Sequence, residues 1–310
     1  MDFEPNEEQR AIAEAVRGLL AQHAGPTRAI ELDRQRAYDD ALADALRAAG
    51  FLGAELSGET GFLEAALVVE AVAKAGGVVS AGAETLVAAG VVGRSLAGPL
   101  ALAVAGDTSP IRFGSCARTL LLDAGERARL VAVDPSWCDP VRSNFMLPLG
   151  RVRVPESAGE TLAPGSGATL RRWWRLALAI ECLGTLEGAL DVTVEYVKRR
   201  RQFGRAIGSF QAIQHRLAQC AVQVEATRWL CYEAAARGAP EEASATAAAY
   251  ASDTAHHVFR ETHQLTGAMG YTREHDLHVF SMRLEALRVE LGGTSAHRRA
   301  IARARWAAAS

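Results

Sequence analysis

The feature that most limits how this sequence can fold is a pair of long apolar stripes at helical spacing in the C-terminal half. The first stripe comprises Leu176, Ile180, Leu183, Leu190 and Val194, and the second comprises Ile213, Leu217, Cys220, Val224 and Cys231. Steps of three and four residues put each stripe on one helix face, and such faces pack in antiparallel bundles. Glycine and proline breaks at 238–240 and 267–270, with a last helix at 294–306, complete the pattern. We predict a four-helix bundle over 169–310.

The N-terminal region is also predicted to be helical, over residues 1–104. Asn6 can cap a first helix, with Gln9 at the capping-box position. Further helical segments are predicted at 38–49, 62–75 and 84–96, each followed by a glycine break. Between this region and the bundle, residues 105–168 carry β-forming runs at 118–124, 128–134 and 150–156. Three or four strands fit there.

The predicted fold class is therefore mostly α, with an N-terminal helical domain, a reduced middle β-region and a C-terminal bundle. The segment 164–167 reads as a linker, because no Gly-Lys-Ser/Thr follows that would make it a phosphate loop.

Composition excludes several classes of function. A formal net charge of −2 argues against a nucleic-acid-binding protein, which would be strongly basic. The five cysteines are widely spaced, odd in number and form no CxxC pair, which indicates a reducing compartment. The acidic N-terminus lacks the apolar segment of a signal peptide, and no uncharged run reaches transmembrane length. We expect a cytoplasmic protein without a membrane partner.

The stretch YVKRRRQFGRAIGSFQAIQHRLA, residues 196–218, carries the strongest functional signal. Four cationic side chains precede an aromatic-glycine turn at Phe203-Gly204, and a second turn at Gly208 leads to Phe210-Gln211. Guanidinium groups and free backbone N–H groups near a helix start both favour phosphate-bearing ligands. The alternative reading is a solvated basic helix end that interacts with the helix dipole.

The order of residues in this stretch resembles the flavin-binding signature of the acyl-CoA dehydrogenase family. Two further blocks strengthen the resemblance: QLTGAMGYTRE at 264–274, in which Ala268 replaces a family glycine, and LGGTSAHRRAIAR at 291–303, which departs at its first position. The resemblance covers most of the chain and implies the same helix–sheet–bundle architecture.

In this family FAD lies across a dimer interface, and the neighbouring subunit's bundle holds its adenine and pyrophosphate end. The resemblance implies that Arg200 pairs with the pyrophosphate. It also implies that Gly267, which has no side chain, lets the adenine end of FAD approach the backbone closely. The implied FAD-binding residues are Arg200, Gln202, Phe203, Phe210, Gln211, Gln264, Leu265, Thr266 and Gly267 for a neighbour's cofactor, and Thr294 and Ser295 for the cofactor of the same subunit.

The chain departs from the family where catalysis takes place. The family's glutamate base stands either directly before Gly-Thr-Ser, here Gly292, or directly before an arginine on the first bundle helix, here Trp174. Neither glycine nor indole can remove a proton at neutral pH. Arg175 is retained and is expected to bind substrate, but Arg172 stands where an aspartate often contacts CoA. We therefore expect no catalytic residue in this chain.

The middle region is also about half the usual length and lacks the segment that packs on the flavin ring. Together these departures resemble the shortened, base-less subunit of actinobacterial heterotetrameric acyl-CoA dehydrogenases of steroid catabolism. The prediction is a non-catalytic subunit of an α2β2 enzyme that oxidises a bulky CoA ester. Its expected partners are a full-length subunit with the catalytic glutamate, the acyl-CoA substrate and electron-transfer flavoprotein or a similar acceptor.

Two alternatives remain open from the sequence. One is a self-sufficient homo-oligomeric dehydrogenase that uses Glu290 or Glu181 as a relocated base. The other is a flavin-free scaffold or binding protein of the same fold. The His275–His278 pair has a metal-like spacing, but no further ligands complete it, so no metal site is predicted.

Overall fold

The computed structural model describes residues 6–59 and 61–306. It is mostly helical, with small sheets between two helical parts, which confirms the predicted fold class. The N-terminal part contains α1 (Glu7–His23), α2 (Pro26–Gln35), α3 (Asp40–Ala48), α4 (Ala54–Glu59), α5 (Phe62–Lys74) and a π-helical segment, Gly82–Val87, that continues into α6 (Ala88–Val92).

The start of α1 is capped as predicted. The Asn6 side chain accepts a hydrogen bond from the Gln9 backbone N–H at 2.8 Å, and the Gln9 side chain accepts one from the Asn6 N–H at 3.0 Å. Two helices, α2 and α4, escaped the sequence analysis, and α6 ends at Val92 rather than at 96. Gly93 stops α6 because it adopts a left-handed conformation at φ 70°.

Two small sheets follow. The first has the strand order β1 (Leu100–Val104), β3 (Thr119–Asp123), β4 (Ala128–Ala132) and β7 (Glu160–Thr161), with β1 parallel to β3 and the other pairs antiparallel. The second has the order β2 (Ile111–Arg112), β6 (Leu149–Val152) and β5 (Cys138–Val141). Strands were predicted near β3, β4 and β6, whereas β1 lies inside the range predicted to be helical. Its run LALAV is apolar throughout because both faces of the strand are covered.

The C-terminal part contains α7 (Ser166–Arg199), α8 (Gln211–Ala236), α9 (Glu241–Thr266), α10 (Leu277–Leu287) and α11 (Gly293–Trp306). Helix α9 packs against α7, α8 and α11, while α10 packs on α7. A hairpin of two short strands, β8 (Arg201–Gln202) and β9 (Arg205–Ala206), joins α7 to α8. The bundle thus has a short fifth helix, α10, that the sequence analysis did not separate.

The two apolar stripes are buried unequally. In α7 the side chains of Leu176, Ile180 and Leu183 are fully buried. In α8 the second half of the stripe is buried, but Ile213 and Leu217 near its start are only half-buried. The first turns of α8 therefore present a partly uncovered apolar face beside the hairpin.

The segment 164–167 is not a linker, contrary to the sequence analysis. Ser166 is the first residue of α7, and its Oγ accepts a hydrogen bond from the Ala128 N–H at 2.8 Å. A Cβ on Gly167 would lie 2.1 Å from the Gly125 carbonyl oxygen. The start of α7 is therefore docked on the first sheet, and glycine is required for that close approach.

Candidate functional site

The hairpin between α7 and α8 presents an aromatic side chain to solvent. Phe203 and Gly204 form its turn with φ of 53° and 78°, the pattern of a type I′ turn. The Phe203 side chain is 89% exposed and contacts the Phe210 ring edge to face, with centroids 6.0 Å apart. The Arg205 guanidinium covers the Phe210 ring at 4.0 Å. A large exposed aromatic at a strained position is typical of a contact made with another molecule.

The cationic side chains at the C-terminus of α7 and in the hairpin differ in whether they form ion pairs or hydrogen bonds. Lys198 and Arg199 both pair with Glu195, at 2.9 and 3.3 Å. Arg201 donates to the Gly204 carbonyl at 3.3 Å. Arg200 is exposed and makes no side-chain hydrogen bond or ion pair within 6–59 and 61–306. Its charge is therefore available to an external anion, and its predicted pairing with pyrophosphate stays a prediction.

The block predicted to hold the adenine end of a neighbour's FAD lies at the C-terminus of α9. Gln264 and Gly267 are exposed, whereas Leu265 and Thr266 are buried. The Thr266 hydroxyl donates to the Thr262 carbonyl within the helix at 2.7 Å. The side chains of Leu265 and Thr266 thus stabilise the helix end, and in this structure only the other two residues of the block are open to a ligand.

The fold brings these two blocks to the same end of the bundle. Arg216 near the start of α8 donates to Glu261 near the end of α9, with a distance of 2.5 Å between the atoms. Tyr196 at the end of α7 packs edge to face on His275, which follows the second block, with centroids 5.2 Å apart. Two sequence blocks about sixty residues apart therefore form one face, as one cofactor would require.

The two family positions for the catalytic base converge on a separate cavity of about 590 Å³. Gly292, Trp174 and Arg175 line it, and so do both alternative carboxylates, Glu181 and Glu290. The volume lies within the range of small-molecule pockets. These five residues were each singled out from the sequence, but the group that dominates their electrostatics was not.

That group is Arg112 on β2, which lies between the two carboxylates. Its Nη1 is 2.7 Å from Glu181 Oε2, and its Nε is 2.6 Å from Glu290 Oε2. The Trp174 indole N–H also donates to Glu290, at 2.5 Å. The two carboxylates raise the pKa of Arg112 despite its burial. Arg112 is flanked in sequence by Ile111 and Phe113, and no local pattern indicates which carboxylates a lone buried cation will meet.

The other cations of the cavity also have carboxylate partners. Arg171 pairs with Asp123 at 2.7 Å, and Arg175 pairs with Glu241 at 2.5 Å. Arg175, predicted to bind substrate, is therefore already neutralised by a residue of α9.

The third block starts α11 beside this cavity, on a backbone unlike that of an ordinary helix start. Leu291, Gly292 and Gly293 all have positive φ, at 54°, 83° and 63°. A Cβ on Gly292 would lie 2.9 Å from the Ala296 Cβ. Thr294 is half-buried and Ser295 is exposed in the first turn.

The described residues contain no group of three or more His, Cys, Asp or Glu side chains able to hold a metal ion. The ring of His278 instead contacts the His275 carbonyl through Nδ1 at 2.8 Å. Within the same part of the chain, no helix is long and apolar enough to span a bilayer.

Family models match both helical parts of the chain. The acyl-CoA dehydrogenase N-terminal domain matches residues 6–95, and the C-terminal domain matches residues 171–305. The chain therefore belongs to the acyl-CoA dehydrogenase family, whose members are oxidoreductases. A relative is acyl-CoA dehydrogenase IpdE2 of Mycobacterium tuberculosis, 33% identical over 305 residues that cover 90% of this chain and 91% of the relative.

Solved structures give the same fold. A variant of the Tcur3481-Tcur3483 steroid acyl-CoA dehydrogenase is 25% identical, with a TM-score of 0.83 over 98% of this chain and 99% of that one. The ChsE4-ChsE5 complex of Mycobacterium tuberculosis is 24% identical, with a TM-score of 0.81 over 98% of both chains. FAD, the predicted cofactor, is present in a solved structure of this fold, an FAD complex of PigA that is 19% identical with a TM-score of 0.77 over 98% of both chains.

Proposed function

We propose that this chain is the non-catalytic subunit of a heteromeric FAD-dependent acyl-CoA dehydrogenase and contributes FAD-binding residues to a partner's active site. The observation that carries the proposal is the contrast between two sets of arginines. Arg200, on the outer face, has no partner within the described residues, whereas Arg112, Arg171 and Arg175 in the chain's own cavity are all paired.

The outer face fits the pyrophosphate and adenine end of FAD supplied by a neighbour. Arg200 would hold the pyrophosphate by charge-assisted hydrogen bonds. Gln202 and the exposed Phe203 ring would contact the cofactor, and Gly267 offers backbone without a side chain. When bound in the partner's site, FAD would supply the hydride-accepting chemistry of the dehydrogenation. The residues of this chain would orient it and keep water away.

The chain's own cavity is a poor fit for the same chemistry. A general base must lie within hydrogen-bond reach of the substrate proton and be free to accept it. Glu181 and Glu290 are both engaged by Arg112, and Glu290 also by Trp174. Accepting a proton would break an ion pair in a largely buried cluster. This arrangement favours a subunit that does not carry out the chemistry itself.

We propose a bulky CoA ester, with a steroid-derived acyl group as the first candidate, because a heteromer needs only one active site per pair of subunits. The space of the second site is then available for a larger substrate. The steroid acyl-CoA dehydrogenase among the structural neighbours supports this choice. Electron-transfer flavoprotein or a similar protein is the proposed acceptor.

Co-expression tests the proposal. The chain alone is expected to carry no stoichiometric flavin, whereas co-expression with a full-length family member that has the catalytic glutamate should give a yellow α2β2 complex. Flavin absorbance per protein and mass by light scattering are the measurements. Stoichiometric flavin on this chain alone would instead indicate the self-sufficient enzyme. A flavin-free complex with every such partner would indicate the scaffold.

A further inference from the structure

A second, polar cleft of about 300 Å³ lies beside the base-less cavity, and Leu149 lines both. Its walls are the end of α2, the segment 141–149 and Arg273, which is near the end of the second sequence block. None of the residues predicted to bind FAD lines it. Its composition is unusual, because four of its fourteen lining residues are arginines and only one, Asp33, is acidic.

Most of this positive charge has no counter-charge. Arg34, Arg36 and Arg142 are exposed and make no ion pair with any residue in the described ranges. Arg273 donates to the Asn144 side chain at 2.9 Å, and its guanidinium is 3.9 Å from Asp33. One carboxylate therefore faces four guanidinium groups in a single concave site. Like charges so placed repel one another, and a bound anion would relieve that repulsion.

A fifth guanidinium is hydrogen-bonded to the backbone of a residue that lines the cleft. Arg283 on α10 is 3% exposed, and it donates to the carbonyls of Met146 and Gly77 at 3.3 and 3.0 Å. Its Nη2 is buried without a hydrogen-bond partner. Burial lowers the pKa of Arg283 to about 10, and the charge of Asp33 acts in the opposite direction. Because Met146 also lines the cleft, the charge of Arg283 adds to the field inside it.

We propose that this cleft binds a phosphate-bearing small molecule. Guanidinium groups recognise phosphate oxygens by paired hydrogen bonds, and Arg34, Arg36 and Arg142 have no other partner among the described residues. The volume is at the lower end of the range for ligand pockets. It suits a diphosphate group, alone or as part of a nucleoside diphosphate, better than a whole dinucleotide. The proposal does not depend on the function proposed above.

Inorganic pyrophosphate is the probe, titrated by calorimetry into the full chain in the complex in which it is purified. All proteins carry Arg200→Ala, which removes the anion site proposed for FAD. The test variant is Arg36→Gln/Arg142→Gln. Its matched control is Arg94→Gln/Arg151→Gln, which removes the same charge from exposed positions elsewhere. We expect the test pair to weaken pyrophosphate binding at least about tenfold and the control pair to leave it unchanged.

Three results would overturn the proposal. The first is equal weakening of pyrophosphate binding in the test variant and the control variant. The second is absence of pyrophosphate binding in the Arg200→Ala parent. The third is a changed oligomeric state of the test variant without any anion binding. The last of these would make the cleft a protein interface. A parallel titration with ADP identifies the source of the phosphate. Tighter binding than pyrophosphate indicates a nucleoside diphosphate, whereas equal binding indicates the phosphate groups alone.

Discussion

Arg199 and Arg200 are neighbours in the sequence and differ in their surroundings. Arg199 pairs with Glu195 one turn earlier in α7, while Arg200 caps the helix with its backbone and leaves its guanidinium unpaired within the described part of the chain. Arg200→Ala should weaken FAD retention by the heteromer by about 1.5–3 kcal/mol, the scale of a charge-assisted contact.

Arg199→Ala is the matched control and should have a much smaller effect. Titration of the flavin-free complex with FAD measures both. Equal losses in the two variants would mean that the cluster acts only through its overall charge.

Gly292 occupies the position where the resemblance places the family's base, and its backbone conformation disfavours any side chain there. A side chain at φ 83° is strained by roughly 1–2 kcal/mol, and its Cβ would crowd Ala296. We expect Gly292→Glu to destabilise the chain and to give no flavin reduction by a CoA ester when the partner's glutamate has been removed.

Gly292→Ala separates the two effects, because it introduces the same backbone strain without a carboxylate. Its loss of stability in denaturant unfolding should be similar. Flavin reduction in the complex with Gly292→Glu and no partner glutamate would contradict the non-catalytic assignment.

Among the elements, the β8–β9 hairpin places an exposed aromatic residue, Phe203, in a left-handed backbone conformation that lowers the stability of the fold. Asparagine is favoured at the first turn position of a type I′ hairpin, where the chain has Phe203. Phe203→Asn should therefore preserve the unfolding free energy of the complex while weakening FAD retention by about tenfold.

Gly204→Ala should have the opposite effect, with lower stability of the fold and unchanged contact between Phe203 and FAD. It keeps the aromatic ring but strains the second turn position, at φ 78°, so stability should fall by roughly 1–2 kcal/mol. Thermal unfolding and FAD titration of both variants distinguish the roles. Loss of stability without loss of FAD in Phe203→Asn would show that the ring serves only the fold.

The elements also show which parts of the fold can be predicted from sequence. The long helices α7 and α8 follow from the spacing of their apolar residues, α9 follows from the glycine and proline breaks on either side of it, and β3 and β4 follow from runs of β-forming residues. Strand β1 was missed because a strand covered on both faces has no alternation to distinguish it from a buried helix. Short α2 and α4 carry too few periodic residues to stand out.

The site divides in the same way. Arg200 and Phe203 were found because they belong to a local motif, and Gly292 because a motif is broken there. Arg112 was missed because its partners, Glu181 and Glu290, are 69 and 178 residues away in the sequence. Contacts of that kind depend on the folded arrangement of three separate elements.

At the scale of the whole molecule, a buried charged cluster joins the N-terminal helices to the bundle. Glu70 on α5 accepts hydrogen bonds from Tyr232 at 2.5 Å and from Arg228 at 3.3 Å, both on α8. Burial and the charge of Glu187 raise the pKa of Glu70 from its ordinary value of 4.5 to about 8. The folded chain therefore holds a proton that the unfolded chain releases at lower pH.

The contribution of Glu70 to the unfolding free energy should accordingly fall as pH rises from about 4.5 to about 8, because the Glu70 carboxyl of the unfolded state holds less of its proton over that window. Glu70→Gln should flatten this dependence, whereas Glu225→Gln, which alters an exposed partner of the same arginine, should not. Denaturant unfolding between pH 5 and 8 measures the difference. One proton changes the free energy of unfolding by at most about 1.4 kcal/mol per pH unit. Identical slopes in wild type and Glu70→Gln would rule out this residue as the cause.

The ion-paired cluster around Arg112 has a consequence for how such a subunit can change over generations. Removing Arg112 alone would leave Glu181 and Glu290 buried without their cation, and freeing either carboxylate alone would leave the cation under-compensated. A side chain at position 292 meets backbone strain as well. Each of these single substitutions therefore passes through a less stable protein. On the function proposed above, a gene copy that has acquired this cluster depends on the gene of its partner, and we expect the two genes to be inherited together.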